Sequence, residues 1–138
     1  MFKTGLYEWH ISKGAHMTIF ANFEKPLYYL SMKSEHLVVR NKAGFFDISH
    51  MGRIIIEGKR AYEVLQVLTV NDVSKIEGGR VQYTCMCNSS GGVLDDMTLY
   101  KIGEEKYLVV CNAINREKIY NHIYRQNENI KVEDVTFK

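Results

Sequence analysis

The feature that most constrains the fold is the regular alternation of strand-like and helix-like stretches after residue 52. Runs of β-branched or alternating apolar residues indicate strands, and apolar residues spaced three and four apart indicate amphipathic helices. Turn-forming residues from Asn88 to Gly92 separate two of the strand-like runs. The predicted strands are 53–57, 81–87, 93–102, 107–111 and 130–137, and the predicted helices are 59–70 and about 115–125.

The order of these elements is strand, helix, three strands, helix, strand. A mixed sheet with both helices on one face is the simplest way to bury the apolar side of every element. We therefore expect an α+β domain over residues 52–138, with a ferredoxin-like, split β-α-β arrangement to which one strand has been added.

Residues 1–51 are less regular than the rest of the chain. The pattern predicts a short helix over 7–15, extended segments on either side of Pro26, and a helix over 31–41 with Ser34 as its N-cap. These elements are too few to close a hydrophobic core by themselves. We expect this stretch to be the first segment of an incomplete domain.

Composition narrows the class of protein. The 18 basic and 16 acidic residues of the 138 are scattered and give a net charge of only +2, which does not favour nucleic-acid binding. No apolar run approaches the length of about 20 residues that spans a bilayer. Three cysteines are too few for a disulfide framework, so reduced thiols in the cytosol or in an organelle matrix are expected. The default prediction is a cytoplasmic protein with no membrane association.

The most chemically suggestive stretch is NSSGGVLDDMTLY, with Asp95 and Asp96 adjacent at the start of a strand. Neighbours on a strand point to opposite faces, so the two carboxylates cannot act as a close acid and base pair. One interpretation is that both are solvated just past the turn. The other is that one carboxylate lies in a cleft and binds or orients a cationic or amine-bearing ligand.

The other groups of potentially functional residues give weaker indications of a site. Cys85 and Cys87 lack the spacing and the second ligand pair of a metal site, so we expect small buried apolar residues and no metal. His50 lies beside Asp47 and Ser49, but the members of a catalytic triad normally come from distant segments. The glycines form neither a phosphate-binding loop nor a dinucleotide fingerprint.

Several stretches, taken in order and at their spacings, are together highly specific. They are LYEWH, GAHM, EHLVVRNKAGFFDISHMG, LTVNDVSKI, GRVQYTCMCNSSGGVLDDMTLYKI and LVVCNAINREK. This set resembles the T-protein (aminomethyltransferase) family of the glycine cleavage system, over nearly the whole chain and in that family's N-terminal portion. On physical grounds alone the interpretation would stop at a small α+β domain with a hairpin carboxylate.

The resemblance implies a reaction and a site. The family transfers a one-carbon unit from the aminomethyl-lipoyl arm of the H-protein to tetrahydrofolate and releases ammonia, and no metal is implied. The second aspartate of GGVLDD is the family's key acid, which here is Asp96. The family's folate contacts fall on Met51, Tyr83, Tyr100 and Asn112.

Two departures leave alternatives open. The segment MTIFANFEKP has Ile19, Asn22 and Phe23 where the family usually has an acidic residue and Gly-Trp, which would suit a divergent folate-dependent demethylase paralogue. The chain is also much shorter than the family. We therefore expect missing C-terminal domains or a partner chain that supplies them, an inactive isolated chain, and exposed apolar surface that self-association could cover. A non-catalytic folate-binding or interaction module is a further alternative.

Overall fold

The computed structural model describes residues 1–77, 79–126 and 129–138, which form two compact units, Met1–His50 and Met51–Lys138. The α+β class predicted from the sequence is confirmed. Each unit combines its own sheet with two α-helices. In the described part of the chain no helix is long and apolar enough to cross a membrane.

The first unit contains a three-stranded sheet. Its elements in chain order are β1 (Phe2–Lys3), α1 (Tyr7–Ser12), β2 (His16–Phe20), β3 (Phe23–Tyr28) and α2 (Met32–Asn41). Strand β3 is central, parallel to β1 and antiparallel to β2. Pro26 lies in β3 beyond the two residues that β1 pairs, so its missing N–H costs no ladder bond on that side.

Two details of the first unit differ from the sequence-based prediction. Helix α1 ends at Ser12 instead of residue 15, because Gly14 has a φ of 76° and leaves the helical conformation. The N-cap of α2 is Ser31 and not Ser34: the Ser31 hydroxyl accepts from the Ser34 backbone N–H at 3.1 Å. Ser34 therefore occupies the third helical position, where it is the donor to the cap.

The second unit contains a five-stranded sheet and two helices, one after its first strand and one before its last strand. Its elements are β4 (Gly52–Glu57), α3 (Ala61–Leu68), β5 (Val81–Cys87), β6 (Val93–Gly103), β7 (Lys106–Cys111), α4 (Arg116–Tyr124) and β8 (Lys131–Asp134), with short 3₁₀ turns at Val73–Lys75 and Ala113–Asn115. The strand order is β5-β6-β7-β4-β8. Every element type predicted for this region is present, with ends shifted by a few residues.

The pairing of the strands differs from the mixed sheet that was expected. All described neighbours in this sheet are antiparallel. A split β-α-β unit does occur in β7-α4-β8, which has β4 between its two strands. The connection β4-α3-β5 is not such a unit, because β7 and β6 both lie between β4 and β5. The two successive hairpins β5-β6 and β6-β7 place three strands side by side and cause this difference.

One face of the sheet forms the core. Ile54, Leu99 and Val109 are fully buried there against Leu65 of α3 and Ile119 of α4, so both helices cover the same face. Side chains on the other face are exposed or half-buried. We call this second surface the open face. It holds the alternate residues of each strand, because side-chain direction has a period of two.

The cysteines of β5 were expected to be small buried residues, and this prediction is wrong. Thr84 and Met86 point into the core, whereas Cys85 and Cys87 lie on the open face and are half-exposed. The β-bulge between Met86 and Cys87 ends this register at the hairpin. In the run VQYTCMC the more apolar alternate set is Val81, Tyr83, Cys85 and Cys87, but the core side is formed by the set that contains Thr84 and Met86, so the hydrophobic pattern indicated the wrong face.

Candidate functional site

The two adjacent aspartates point to opposite faces, as the strand geometry requires. Asp95 is 5% exposed and lies on the core side of β6, while Asp96 is exposed on the open face. The interpretation that both are solvated past the turn is therefore wrong for Asp95. One strand thus carries a buried carboxylate on one face of the sheet and an accessible carboxylate on the other.

Asp96 is held from two sides. The Tyr83 hydroxyl donates to Asp96 Oδ2 at 2.8 Å from the neighbouring strand β5, and Asn112 Nδ2 donates to Asp96 Oδ1 at 3.0 Å from the end of β7. The hydrogen bond to Asp96 and its negative charge raise the pKa of the Tyr83 phenol, so Tyr83 stays protonated and remains a donor. The carboxylate is thus fixed in orientation while it stays accessible to a ligand.

Asp95 is anchored by asparagines. Its Oδ2 accepts the Asn112 backbone N–H at 2.9 Å. Its Oδ1 accepts Asn112 Nδ2 at 3.0 Å and Asn115 Nδ2 at 2.6 Å. These contacts satisfy a buried carboxylate that would otherwise be costly. Sequence analysis missed the role of Asp95 and Asn115. The signal was available in two asparagines three residues apart directly after a buried strand.

The register of the sheet brings Met51 to the same end. One row across β4, β7 and β6 consists of Gly52, Cys111 and Met97. Met51, Asn112 and Asp96 each adjoin one member of this row in the chain, and the antiparallel pairing puts all three on the same side of it. Three of the five residues expected at a folate site therefore lie at one end of these three strands. Met51 is half-buried there.

The two tyrosines extend the site along the open face. Tyr83 is opposite Thr98, and Tyr100 is opposite Val81, which makes the tyrosines diagonal neighbours on adjacent strands. Tyr83 is 66% exposed and Tyr100 is half-buried. Tyr100 is four residues from Asp96, which is about 13 Å along β6. A ligand of this length could stack a flat ring system on Tyr100 and contact the Asp96 carboxylate at the same time. Cys85 is opposite Asp96 on the same face, which sequence analysis did not anticipate.

The layer beneath the site is tightly packed. A Cβ added at Gly52 would lie 2.7 Å from Cys111 Sγ and 3.0 Å from Arg116 Cγ, so only glycine fits this position without movement. Burial, together with the charges of Asp95 and Asp134, raises the pKa of the Cys111 thiol to about 12. Cys111 is therefore an inert packing residue below the carboxylates.

A second polar cluster lies in the first unit, around Asp47, whose side chain is 3% exposed. Asp47 Oδ2 accepts from the Thr4 hydroxyl at 2.7 Å and contacts His10 Nε2 at 3.0 Å. Ser49 donates its backbone N–H and its hydroxyl to Asp47 Oδ1 at 2.9 and 2.5 Å. Burial alone would raise the pKa of Asp47, but the hydrogen bonds from Ser49, His10 and Thr4 hold it well below its ordinary value.

The geometry of this cluster is structural and not that of a catalytic triad. The Ser49 hydroxyl and the His10 ring both bind the same carboxylate, so the histidine is not placed as a base for the serine. Lys25 Nζ lies 2.6 Å from His50 Nδ1 and donates to the Asp47 carbonyl at 3.0 Å. Burial and the charge of Lys25 lower the pKa of His50, so neutral His50 accepts from the lysine. The cluster ties four separate segments of the first unit together.

Apolar side chains are exposed on the first unit. Phe45 is 96% and Phe46 67% exposed, and α2 has no buried residue. Both phenylalanines line a cavity of about 550 Å³ between the end of β3 and α2. Within residues 1–77, 79–126 and 129–138, no three His, Cys, Asp or Glu side chains are grouped to hold a metal ion.

Comparison with known families gives one clear result. Residues 6–138 match the model of the GCVT N-terminal domain. Among curated proteins, an aminomethyltransferase of Thermus thermophilus is 47% identical over 133 residues, which are 96% of this chain and 38% of that protein. An aminomethyltransferase of Thermotoga neapolitana is 44% identical over 138 residues, covering 99% of this chain and 38% of that protein.

Solved structures agree. The crystal structure of glycine cleavage system aminomethyltransferase T from Bartonella henselae superposes with a TM-score of 0.90 at 33% identity, covering 98% of this chain and 38% of that chain. The chain thus spans well under half the length of the relatives that it matches. These relatives are named aminomethyltransferases, so neither the demethylase nor the non-catalytic alternative is favoured.

Proposed function

This chain belongs to the GCVT N-terminal domain family, and we propose that it is the N-terminal part of a tetrahydrofolate-dependent aminomethyltransferase of glycine cleavage. The observation that carries the proposal is the accessible Asp96 carboxylate, fixed by Tyr83 and Asn112 on the open face. Tetrahydrofolate is the acceptor and the aminomethyl-lipoyl arm of an H-protein is the donor. We place the protein in the cytoplasm, in keeping with its three free cysteines.

Asp96 is the catalytic acid group in this proposal. The aminomethyl carbon is bonded to the lipoyl sulfur and to an amine that is cationic at neutral pH. A fixed carboxylate can bind the ammonium and orient the attacking folate nitrogen. Carbon–nitrogen bonds to the folate replace the carbon–sulfur and carbon–amine bonds, ammonia leaves, and the lipoyl arm is released as its dithiol. No covalent enzyme intermediate is needed, so the chain requires no activated nucleophile.

The other site residues bind the folate. Tyr83 and Tyr100 offer aromatic surfaces to the pterin and aminobenzoyl rings, and Met51 offers an adaptable apolar contact at the same end of the sheet. Asn112 was expected to be one of the folate contacts. Because its Nδ2 donates to both aspartates, it contributes to the folate site mainly through the position of Asp96.

Further protein is needed to enclose the ligand. The open face is one wall of a site, and the relatives are more than twice as long as this chain. We propose that C-terminal domains, or a partner chain equivalent to them, supply the remaining walls. The isolated chain is then expected to bind folate weakly and to have no turnover, and its exposed apolar side chains are expected to promote self-association.

A chimeric enzyme tests the proposal. Residues 6–138 replace the matching segment of the Thermus thermophilus aminomethyltransferase, and ammonia release from aminomethyl-lipoyl H-protein is measured with tetrahydrofolate present. We expect activity from the chimera and a loss of about a hundredfold or more in its Asp96→Asn variant, the typical cost of one electrostatic group at a transition state. Asp72→Asn, an exposed aspartate on a loop of the same unit, is the matched control and should leave activity unchanged.

The outcomes separate the alternatives. A folded chimera that binds tetrahydrofolate but releases no ammonia would support a non-catalytic folate-binding module. Equal activity in the chimera and in Asp96→Asn would refute the role given to Asp96.

A further inference from the structure

Asn112 occupies a special position between the two aspartates. Its single Nδ2 lies 3.0 Å from Asp95 Oδ1 and 3.0 Å from Asp96 Oδ1, and 3.3 Å from the Asp96 carbonyl. An amide nitrogen carries two protons, so one can serve each carboxylate. The side chain therefore bridges the buried aspartate and the accessible one through a single atom.

The orientation of this amide must be fixed by its hydrogen-bond partners, because its oxygen and nitrogen ends have the same shape. Ionised Asp95 can only accept, so it requires the NH₂ end of Asn112 to point toward it. The same orientation turns NH₂ toward Asp96. A reversed amide would place its oxygen against both carboxylates, where it would be repelled and would leave Asp95 short of a donor.

Asp95 itself has little freedom to move. It is 5% exposed, both of its oxygens accept hydrogen bonds, and two of its three donors come from groups other than the Asn112 side chain. These two donors are the Asn112 backbone N–H and Asn115 Nδ2. Asp95 is thus fixed by the backbone at the end of β7 and by the following 3₁₀ turn.

We propose that Asp95 is a positioning residue for Asp96: it fixes the direction of the Asn112 amide, which then holds the Asp96 carboxylate together with Tyr83. The inference rests on the proposed function for its catalytic meaning, but its structural part can be tested without any substrate. Asp95 touches no ligand in this scheme and acts only through Asn112. Its substitution should therefore disturb Asp96 only when Asn112 is present.

The test uses nuclear magnetic resonance on the whole chain. Hydrogen exchange of the Asn112 side-chain NH₂ is measured in the wild type and in Asp95→Asn, in which the new amide can donate and so permits the reversed Asn112. We expect exchange to accelerate by about tenfold or more, as for loss of one charged hydrogen bond. We also expect the acid dissociation constant of Tyr83 to rise about threefold, because Asp96 is less firmly held against the phenol.

A double-mutant cycle distinguishes an effect that acts through Asn112 from general unfolding of the variant. Asn112→Ser is a milder change at a half-buried position, and it should change the Tyr83 dissociation constant as much as Asp95→Asn does. Adding Asp95→Asn to Asn112→Ser should then have no further effect. Asp72→Asn is the control: this carboxylate also accepts a backbone N–H, from Ser74, and is exposed on the loop after α3, so it should leave Asn112 exchange unchanged.

Each result decides one question. Unchanged Asn112 exchange in Asp95→Asn, or an equal acceleration in Asp72→Asn, would overturn the inference. So would an effect of Asp95→Asn on Tyr83 that persists without Asn112. If the cycle behaves as expected while the chimera is insensitive to Asp96→Asn, the positioning holds and the proposed function fails.

Discussion

Replacement of Asp47 by asparagine should destabilise the first unit strongly. The asparagine keeps an oxygen for the two Ser49 donors, but its NH₂ meets the Thr4 hydroxyl and His10 Nε2, which now contact Asp47 Oδ2 at 2.7 and 3.0 Å. The Thr4 hydroxyl can rotate and accept from this NH₂. The His10 N–H is left without an acceptor, and the remaining hydrogen bonds lose their charged partner, so the free energy of unfolding should fall by about 3 kcal/mol.

The assay is urea unfolding followed by tryptophan fluorescence. Trp9 is the single tryptophan and lies edge-on to His10 at a ring-centroid distance of 5.5 Å, so it reports on this cluster. With a slope of about 1.5 kcal/mol per molar urea, the midpoint should fall by about 2 M. The matched control is Asp72→Asn: Asp72 also accepts a backbone N–H and a hydroxyl from a serine two residues on, but it is exposed.

The control should unfold at nearly the same urea concentration as the wild type. An Asp47→Asn midpoint within a few tenths molar of the wild type would refute the reasoning, since it would mean that the buried carboxylate contributes no more than an exposed one.

Three further predictions concern Gly52, Asp47 and the cysteines. Gly52→Ala should lower the free energy of unfolding by about 1–3 kcal/mol, measured by urea unfolding, because the new Cβ overpacks Cys111 Sγ at 2.7 Å; an unchanged midpoint would contradict the packing. Because the folded-state pKa of Asp47 is lowered, the stability it adds at neutral pH should be lost as the pH falls below about 4, and Asp47→Asn should lack this acid loss in pH-dependent urea unfolding. Iodoacetamide at pH 8 should modify half-exposed Cys85 and Cys87 but spare Cys111, whose pKa is about 12; mass spectrometry of the peptides would show early Cys111 labelling if this is wrong.

The regular elements of the second unit could be predicted because each has a simple pattern. The run 53–57 is β-branched and Val64, Leu65 and Leu68 have helical spacing, and all are confirmed as strand and helix. The strand order could not be predicted in the same way. It depends on which edges the hairpins leave free for β4 and β8, and that is decided by packing between segments distant in sequence.

The candidate site could be predicted only in part. Asp96 was singled out by its family motif, and strand alternation correctly predicted that Asp95 points the other way. The hydrogen bonds that hold Asp96 could not be foreseen, because they join residues 13 and 16 positions away through sheet register. The same holds for Asp47 and His10, which are 37 positions apart, so no local pattern connects them.

The roles of Met51, Tyr83, Tyr100 and Asn112 toward folate stay predictions. Met51, Asn112 and Asp96 each adjoin the row formed by Gly52, Cys111 and Met97, and register places both tyrosines on the face that carries Asp96. This proximity supports a common ligand. A tetrahydrofolate binding measurement tests whether that ligand is a folate.

The measurement that tests the account most directly is tetrahydrofolate binding to this chain by anaerobic calorimetry, compared between the wild type and Asp96→Asn. The account predicts binding that weakens by more than about 1 kcal/mol in the variant, the cost of a lost hydrogen bond to a charged group. Equal affinity of the two proteins would contradict the placement of Asp96 in the folate site.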